Sequence, residues 1–360
     1  MVTIHQGRVR RIAEEMNRQG LDQLLITSMS SVFYLTSHRI DPGERCMAIY
    51  ITGEGQATVL FNILFAIPEV EGARLLLYSD SENPVERLAG LIRPGKLGVD
   101  KTWPSHFLID LMPRVPDTVM VNGSPVVDLV RMVKDEEELE LMRRASRIND
   151  QAVARAIGMI SPELTELQLS RATTEAYAQL GVKNLRNTPI VAYGAHCAEP
   201  HHGPDDTRLQ PGDNVLFDIG KNIDGYNCDM TRTVAYRSAG ELQRKIYQIV
   251  LEANLAGIAA VKPGVRCCDV DRAARQVIEK AGYGEYFTHR TGHNIGIDVH
   301  EFPDIGPRCE LEIVPGMVFS IEPGIYLPGS VGVRIEDLVI VTENGCENLN
   351  SYTKELQIVG

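Results

Sequence analysis

The sequence has no C-x-x-C pair, no phosphate-cradling glycine motif and no uninterrupted apolar run of the roughly 18–20 residues needed to span a bilayer. Its seven cysteines are odd in number and scattered, which points to free thiols in a reducing cytoplasm. Cys267-Cys268 reads as two ordinary cysteines at the start of a helix. Basic residues are also in deficit: 36 Lys and Arg against 48 Asp and Glu give a formal net charge of −12. That balance argues against nucleic acid or an anionic membrane as the main partner, since both call for basic patches. The opening Met1-Val2-Thr3-Ile4-His5-Gln6 has no basic region followed by an apolar one, so no signal peptide is expected. What remains is the composition of an ordinary soluble globular chain, 44% hydrophobic and 23% charged, at a length of 360 residues that suggests two domains.

The first 125 residues alternate helix-like and strand-like segments. Val9, Ile12 and Met16 share a helix face. Short strands are expected at Leu24-Leu25-Ile26, Cys46 to Thr52, Ala57 to Phe61, Arg74 to Tyr78, Leu97 to Asp100 and Thr118 to Val121. The expectation is a small α/β domain with a mixed sheet over 1–125, followed by a second domain over 126–360. His38 and His106 read as surface residues. In the second domain, Asp135 with Glu138 and Thr165 with Gln168 are capping boxes that open two helices. Two more helices are expected from Glu241 to Val261 and from Asp269 to Ala281. Each helix pair precedes a hairpin, so the second domain looks duplicated in form. The natural packing is helices on one face of a curved antiparallel sheet with acids on the other.

The two hairpins carry the chemistry. The first runs from Asn214 to Gly220 and returns from Tyr226 to Val234; a fold about Ile223-Asp224 would set Asp218 opposite Asp229. The second runs from Met317 to Glu322 and returns from Gly332; a fold about Gly329 would set Glu322 opposite Glu336. Directly opposed residues have Cβ atoms roughly 4.5–5.5 Å apart, so four acids would converge and need cations between them. Asp218 and Glu322 each end an apolar strand run, where an unpaired charge is costly. With His293 they make an oxygen-rich shell suited to divalent Mn, Co, Fe or Zn, and metal-assisted hydrolysis is the reaction class that follows. His201, His289 and His300 stand nearby in sequence as groups able to move protons. For His293 and His300 to meet, Gly292 or Gly296 must bend or bulge the strand.

Phe217-Asp218-Ile219-Gly220, Gly225 to Thr233, Thr291-Gly292-His293, Val299-His300-Glu301, Ile321 to Tyr326 and Gly332 to Asp337 together resemble the proline-specific metallopeptidases. These are the Xaa-Pro dipeptidases (prolidases) and Xaa-Pro aminopeptidases, which share the pita-bread fold with creatinase, and the resemblance spans the whole chain. It implies a creatinase-like N-terminal α/β domain followed by a pita-bread catalytic domain, an α/β and α+β architecture with a pseudo-twofold repeat. It also implies two divalent metal ions, Mn or Co ahead of Zn or Fe, held by Asp218, Asp229, His293, Glu322 and Glu336, with Asp229 and Glu336 bridging. Glu322 is then the general base. His201 and His300 contact the substrate and its carbonyl, His289 shuttles a proton, and Arg334 orients an acid. The implied setting is a cytoplasmic homodimer acting on small peptides, with no nucleic-acid or membrane partner. Asp304 stands where many prolidases carry an arginine for the substrate carboxylate, which favours longer Xaa-Pro-Yaa peptides unless another cation replaces it. Arg290 and Asn294, on either side of His293, are expected to narrow the pocket. The alternatives are a hydrolase of the same fold acting on a small non-peptide amide, as creatinase does, and a non-catalytic pita-bread binding protein.

Overall fold

The computed structural model describes residues 2–360, which form two compact units that divide between Arg131 and Met132. In the first unit, a six-stranded sheet runs in the order Arg74–Tyr78, Ala57–Asn62, Ala48–Thr52, Gln23–Ile26, Gly95–Val99, Thr118–Asn122. The two pairs made by Ala48–Thr52 are antiparallel and the rest parallel, so the sheet is mixed as expected. The central strands are buried throughout, which is why Gln23–Ile26 and Ala48–Thr52 read as apolar runs rather than alternating ones. Val9, Ile12 and Met16 are buried on the Gln6–Arg18 helix. His38 and His106 are exposed. The helix Ser124–Met132, which the sequence suggested would open the second domain, falls almost wholly within the first unit. Arg11 Nη2 donates to the Val130 carbonyl at 2.9 Å and Arg131 Nη1 to Ser31 Oγ at 3.3 Å, tying its C-terminal end there.

In the second unit, both expected capping boxes are present, opening the helices Glu136–Gly158 and Glu166–Gln179. These helices cover the strands Ile190–Tyr193, Asn214–Ile219 and Met230–Tyr236. Ala152, Val153, Leu169 and Tyr177 pack there against Val215, Phe217, Ile219, Cys228 and Met230. The helices Glu241–Ala260 and Cys267–Lys280 repeat the arrangement: Ile246, Val250, Ala274 and Ile278 pack against Ile325, Val333 and Ile335. The last of these helices starts two residues ahead of the expected Asp269. Backbone bonds from Cys267 N to Leu311 O and from Cys268 N to Cys309 O satisfy its first donors without a side-chain cap, and Asp269 pairs instead with Arg266.

The sheet beneath the helices is not one continuous ladder. A four-stranded sheet holds the first hairpin. A five-stranded sheet runs Glu301–Ile305, Gly292–Asn294, Val318–Ile321, Asp337–Val341, Cys346–Asn348, and Gly324–Leu327 pairs separately with Val331–Arg334. The halves are stitched where the strands diverge, by Glu336 N to Thr231 O at 3.1 Å and by Asn214 Nδ2 to Gly332 O at 3.0 Å. Among the described residues, no helix is long and apolar enough to cross a membrane.

Candidate active site

The two hairpins differ in how they present their acids. In the second, one register runs through both ladders, from Val318 opposite Ile340 through Ile321 opposite Asp337 to Gly324 opposite Arg334. Glu322 and Glu336 occupy the gap between the ladders and face each other, as the sequence suggested. In the first, the turn is Asp224-Gly225, both at positive φ (52° and 99°), the geometry of a tight two-residue hairpin. Centring the turn there rather than on Ile223-Asp224 slips the register by two residues. Asp218 therefore lies opposite Thr231, and Asp229 comes opposite Gly220. A two-residue slip keeps both acids on the same face. Glycine is required at 220 because a Cβ would collide with the Cys228 carbonyl and sit 3.2 Å from Asp229 Oδ1.

All nine residues expected at the site line one cavity of about 510 Å³: Asp218, Asp229, His293, Glu322, Glu336, His201, His289, His300 and Arg334. Single donor atoms of Asp229, His293 and Glu336 all lie within 4.8 Å of one another, and His293 Nε2 is 3.3 Å from Glu322 Oε1. The strand bulges between His293 and Asn294, the neighbourhood in which a bend was expected, and the His293 and His300 rings meet edge to face at 4.3 Å. Gly292 permits this, since a Cβ there would overlap the Ser320 carbonyl. The bulge turns Asn294 into the sheet, where it is fully buried and its Nδ2 donates to Phe302 O at 2.7 Å. Asn294 is therefore absent from the cavity wall, contrary to expectation, and Arg290 is the flanking residue that lines it.

The electrostatics of this cavity call for positive charge. Burial, then the neighbouring Asp218 and Glu322 charges, push the Asp229 carboxyl well above its usual range. Burial and Asp229 do the same to Glu336. Glu322 is pushed up to about 7, chiefly by burial. Among the described residues, the single ion pair joining these four acids to a guanidinium or ammonium is Arg334 Nη2 to Asp218 Oδ2 at 2.8 Å. Burial and the neighbouring His300 push the His293 imidazole down to about 3, so it is neutral. Its Nδ1 lies 3.2 Å from the Asn294 carbonyl, an arrangement that puts the proton on Nδ1 and leaves the Nε2 lone pair facing the acids. Four carboxylates and one neutral imidazole, with one arginine among them, fit a pair of divalent ions by donor type and by charge.

Around this shell, Thr231 Oγ1 donates to Glu336 Oε2 at 2.8 Å, and Ser320 Oγ donates to Glu322 Oε1 at 3.1 Å. Arg334 reaches further than the sequence implied. Its Nη1 donates to Tyr326 Oη at 2.9 Å, and that hydroxyl lies 2.8 Å from His289 Nε2. His289 Nδ1 faces the Arg290 carbonyl at 2.7 Å, so both ring nitrogens are engaged. Burial and the Arg334 charge lower its pKa to about 4. The geometry thus holds the His289 ring between the Tyr326 hydroxyl and the Arg290 carbonyl. Tyr326 is the residue that sequence reasoning missed. The signal was available: it follows Glu322 and Gly324 at a spacing of two, and glycine at 324 leaves room for its hydroxyl. Asp304 also has a partner, since its Oδ1 lies 3.3 Å from Arg290 Nε.

Comparison with known proteins agrees with this architecture. Residues 140–343 match metallopeptidase family M24, and residues 8–133 match the creatinase/prolidase N-terminal domain. The chain is 35% identical to an uncharacterized peptidase of Staphylococcus aureus, covering 96% of this chain and 99% of that one. Among solved structures, dipeptidase PepE from Mycobacterium ulcerans is 36% identical with a TM-score of 0.92, over 98% of this chain and 97% of that one. The prolidase from Thermococcus sibiricus is 34% identical with a TM-score of 0.91, over 98% of each chain. A creatinase-like N-terminal unit and a pita-bread unit whose cavity collects five acids and four histidines leave one assignment: this chain belongs to metallopeptidase family M24.

Proposed function

We propose that the protein is a metal-dependent exopeptidase that hydrolyses the bond preceding proline in short peptides, dipeptides first. The observation that carries this reading is the convergence of Asp218, Asp229, His293, Glu322 and Glu336 in one cavity with a single arginine partner. These five residues would hold two divalent ions, Mn or Co. Bound there, the ions would supply an activated water and a polarised scissile carbonyl. Glu322, held by Ser320 Oγ, accepts a proton from the attacking water and delivers it to the leaving prolyl nitrogen. His300, whose pKa is lowered by burial, enters neutral and can donate an N–H to the developing oxyanion. His201, exposed at the cavity wall, contacts the peptide. Arg334 and Tyr326 keep Asp218 and His289 fixed while this happens.

Dipeptides are favoured over longer peptides because the cavity does contain a cation beside Asp304. Arg290 lines the cavity, with its Nε 3.3 Å from Asp304 Oδ1 but making no hydrogen bond. A free proline carboxylate would find its counter-charge there. The related dipeptidase and prolidase structures support the same substrate class. The proposal includes the cytoplasmic, homodimeric setting implied by the resemblance. The test is protein stripped of metal, reloaded with Mn or Co, and offered Xaa-Pro and Xaa-Pro-Yaa peptides. Turnover of Xaa-Pro is expected; absence of turnover on both, with metal bound, would overturn the reading.

A further inference from the structure

We propose that Glu166, His196, His202 and Asp205 form a second metal site, suited to zinc, which anchors the loop that carries His201. None of the four lines the cavity. One donor atom from each lies within 4.8 Å of every other. His196 Nδ1 is 3.0 Å from Glu166 Oε1 and His202 Nε2 is 2.7 Å from Glu166 Oε2, with the two rings 4.2 Å apart. Zinc bonds of about 2.0–2.1 Å set tetrahedral ligand atoms roughly 3.3 Å apart, close to these separations. Two imidazoles and two carboxylates are a donor set zinc accepts.

Two further observations favour a cation over a bare hydrogen-bond cluster. Glu166 is fully buried at the first turn of its helix, and among the described residues no lysine or arginine pairs with it. A buried carboxylate needs a compensating charge. Its backbone donors, Tyr193 N at 2.7 Å and Asp205 N at 3.2 Å, take one lone pair on each oxygen and orient the group. His202 has a carboxylate at each ring nitrogen, with Nδ1 lying 3.4 Å from Glu199 Oε2. A neutral imidazole carries one N–H and can satisfy one of the two; without a metal, Glu166 and Glu199 outweigh burial and favour the protonated ring. With Nδ1–H donated to Glu199, the Nε2 lone pair is left for a metal, which is how metal-bound histidines are oriented. His196 and Asp205 remain partly open to solvent, giving zinc a route in.

The decisive experiment separates this site from the cavity. The double variant Asp229→Ala/Glu336→Ala, dialysed against zinc sulfate, should retain about one zinc per chain by elemental analysis. Adding His196→Ala should weaken that binding at least about 100-fold, the upper end of what loss of an outer-shell partner alone costs. In otherwise unaltered protein, His196→Ala should lower the saturating zinc content by one per chain and abolish the strong visible band of tetrahedral cobalt. It should raise KM more than it lowers kcat, because it loosens the His201 loop. A folded double variant that binds no zinc overturns the proposal. If the double variant does not fold, unchanged zinc content in the His196→Ala protein overturns it equally. A cluster held only by protonated His202 would give that result.

Discussion

Removing metal from the cavity should leave a protein whose stability falls as pH rises above neutrality. Glu322 sits at about 7 when no cation is present, against 4.5 for an ordinary glutamate, and its side chain is only 16% exposed. An acid whose folded-state pKa is raised contributes stability that is fully present below 4.5 and lost as pH passes through about 7. The full difference corresponds to about 3 kcal/mol. The lowered histidines act in the opposite sense: His289 and His293, at about 4 and about 3, withdraw stability as pH falls below 6.5, where the unfolded chain takes up protons first. At pH 6.5 they are still half protonated in the unfolded chain, so between pH 6.5 and 8.5 each restores about 0.4 kcal/mol, about 0.8 kcal/mol together. Over the same range Glu322 alone costs about 0.8 kcal/mol, which the two histidines offset. The net fall in Tm over this range therefore comes from Asp229 and Glu336, which burial and neighbouring acids push well above the usual carboxylate range. Saturating Mn at about 100 times its Kd should add roughly 2.7 kcal/mol and remove most of the pH slope. The assay is thermal unfolding of chelator-stripped and Mn-loaded protein across that range. A stripped protein whose Tm stays flat or rises from pH 6.5 to 8.5, or a slope identical in the loaded protein, would refute the picture of acids awaiting a cation.

Four other expectations can be checked independently. Glu322→Gln should keep at least one metal by elemental analysis yet lose turnover by about 10²–10⁴-fold; an active variant would remove Glu322 from the proton-transfer role. Tyr326→Phe takes away the hydroxyl between Arg334 Nη1 and His289 Nε2 and should lower kcat by about 10–100-fold with little change in KM. If KM alone moves, the hydroxyl serves binding instead. Arg290→Met should raise KM for Gly-Pro by roughly 10–100-fold while sparing its C-terminal amide, since a bond to a charged partner contributes about 1.5–3 kcal/mol; equal effects on acid and amide would exclude a carboxylate anchor. Gly292→Ala pushes a Cβ into the Ser320 carbonyl and should cost at least about 3 kcal/mol, so wild-type thermal unfolding would show that the strand can yield.

Much of this was legible in the residues because it rests on short-range rules. The capping boxes at Asp135 and Thr165 and the turn about Gly329 read correctly from local chemistry alone. The misreadings came where backbone partners distant in sequence decide the outcome. Cys267 starts its helix early because Leu311 and Cys309, far along the chain, offer carbonyls to its first turn. Asn294 was expected in the pocket, but a bulge set by the neighbouring strand turned it inward. Tyr326 went unread because its place beside His289 depends on the Gly324–Leu327 ribbon. The pairing of Asp304 with Arg290 likewise joins residues fourteen positions apart, on either side of the bulge.

The turn at Asp224-Gly225 carries a rule of parity. Along the strand that follows it, Cys228 and Met230 enter the helix-covered core while Asp229 and Thr231 meet the acids and Arg334. Antiparallel neighbours share a face, so a one-residue slip of the pairing exchanges odd for even along that whole strand. Cys228 and Met230 would then be offered to the cavity and Asp229 to the core. A slip of two returns every side chain to its own side. Loop variants in this hairpin should therefore survive where the pairing is kept or slips by two, and fail where it slips by one.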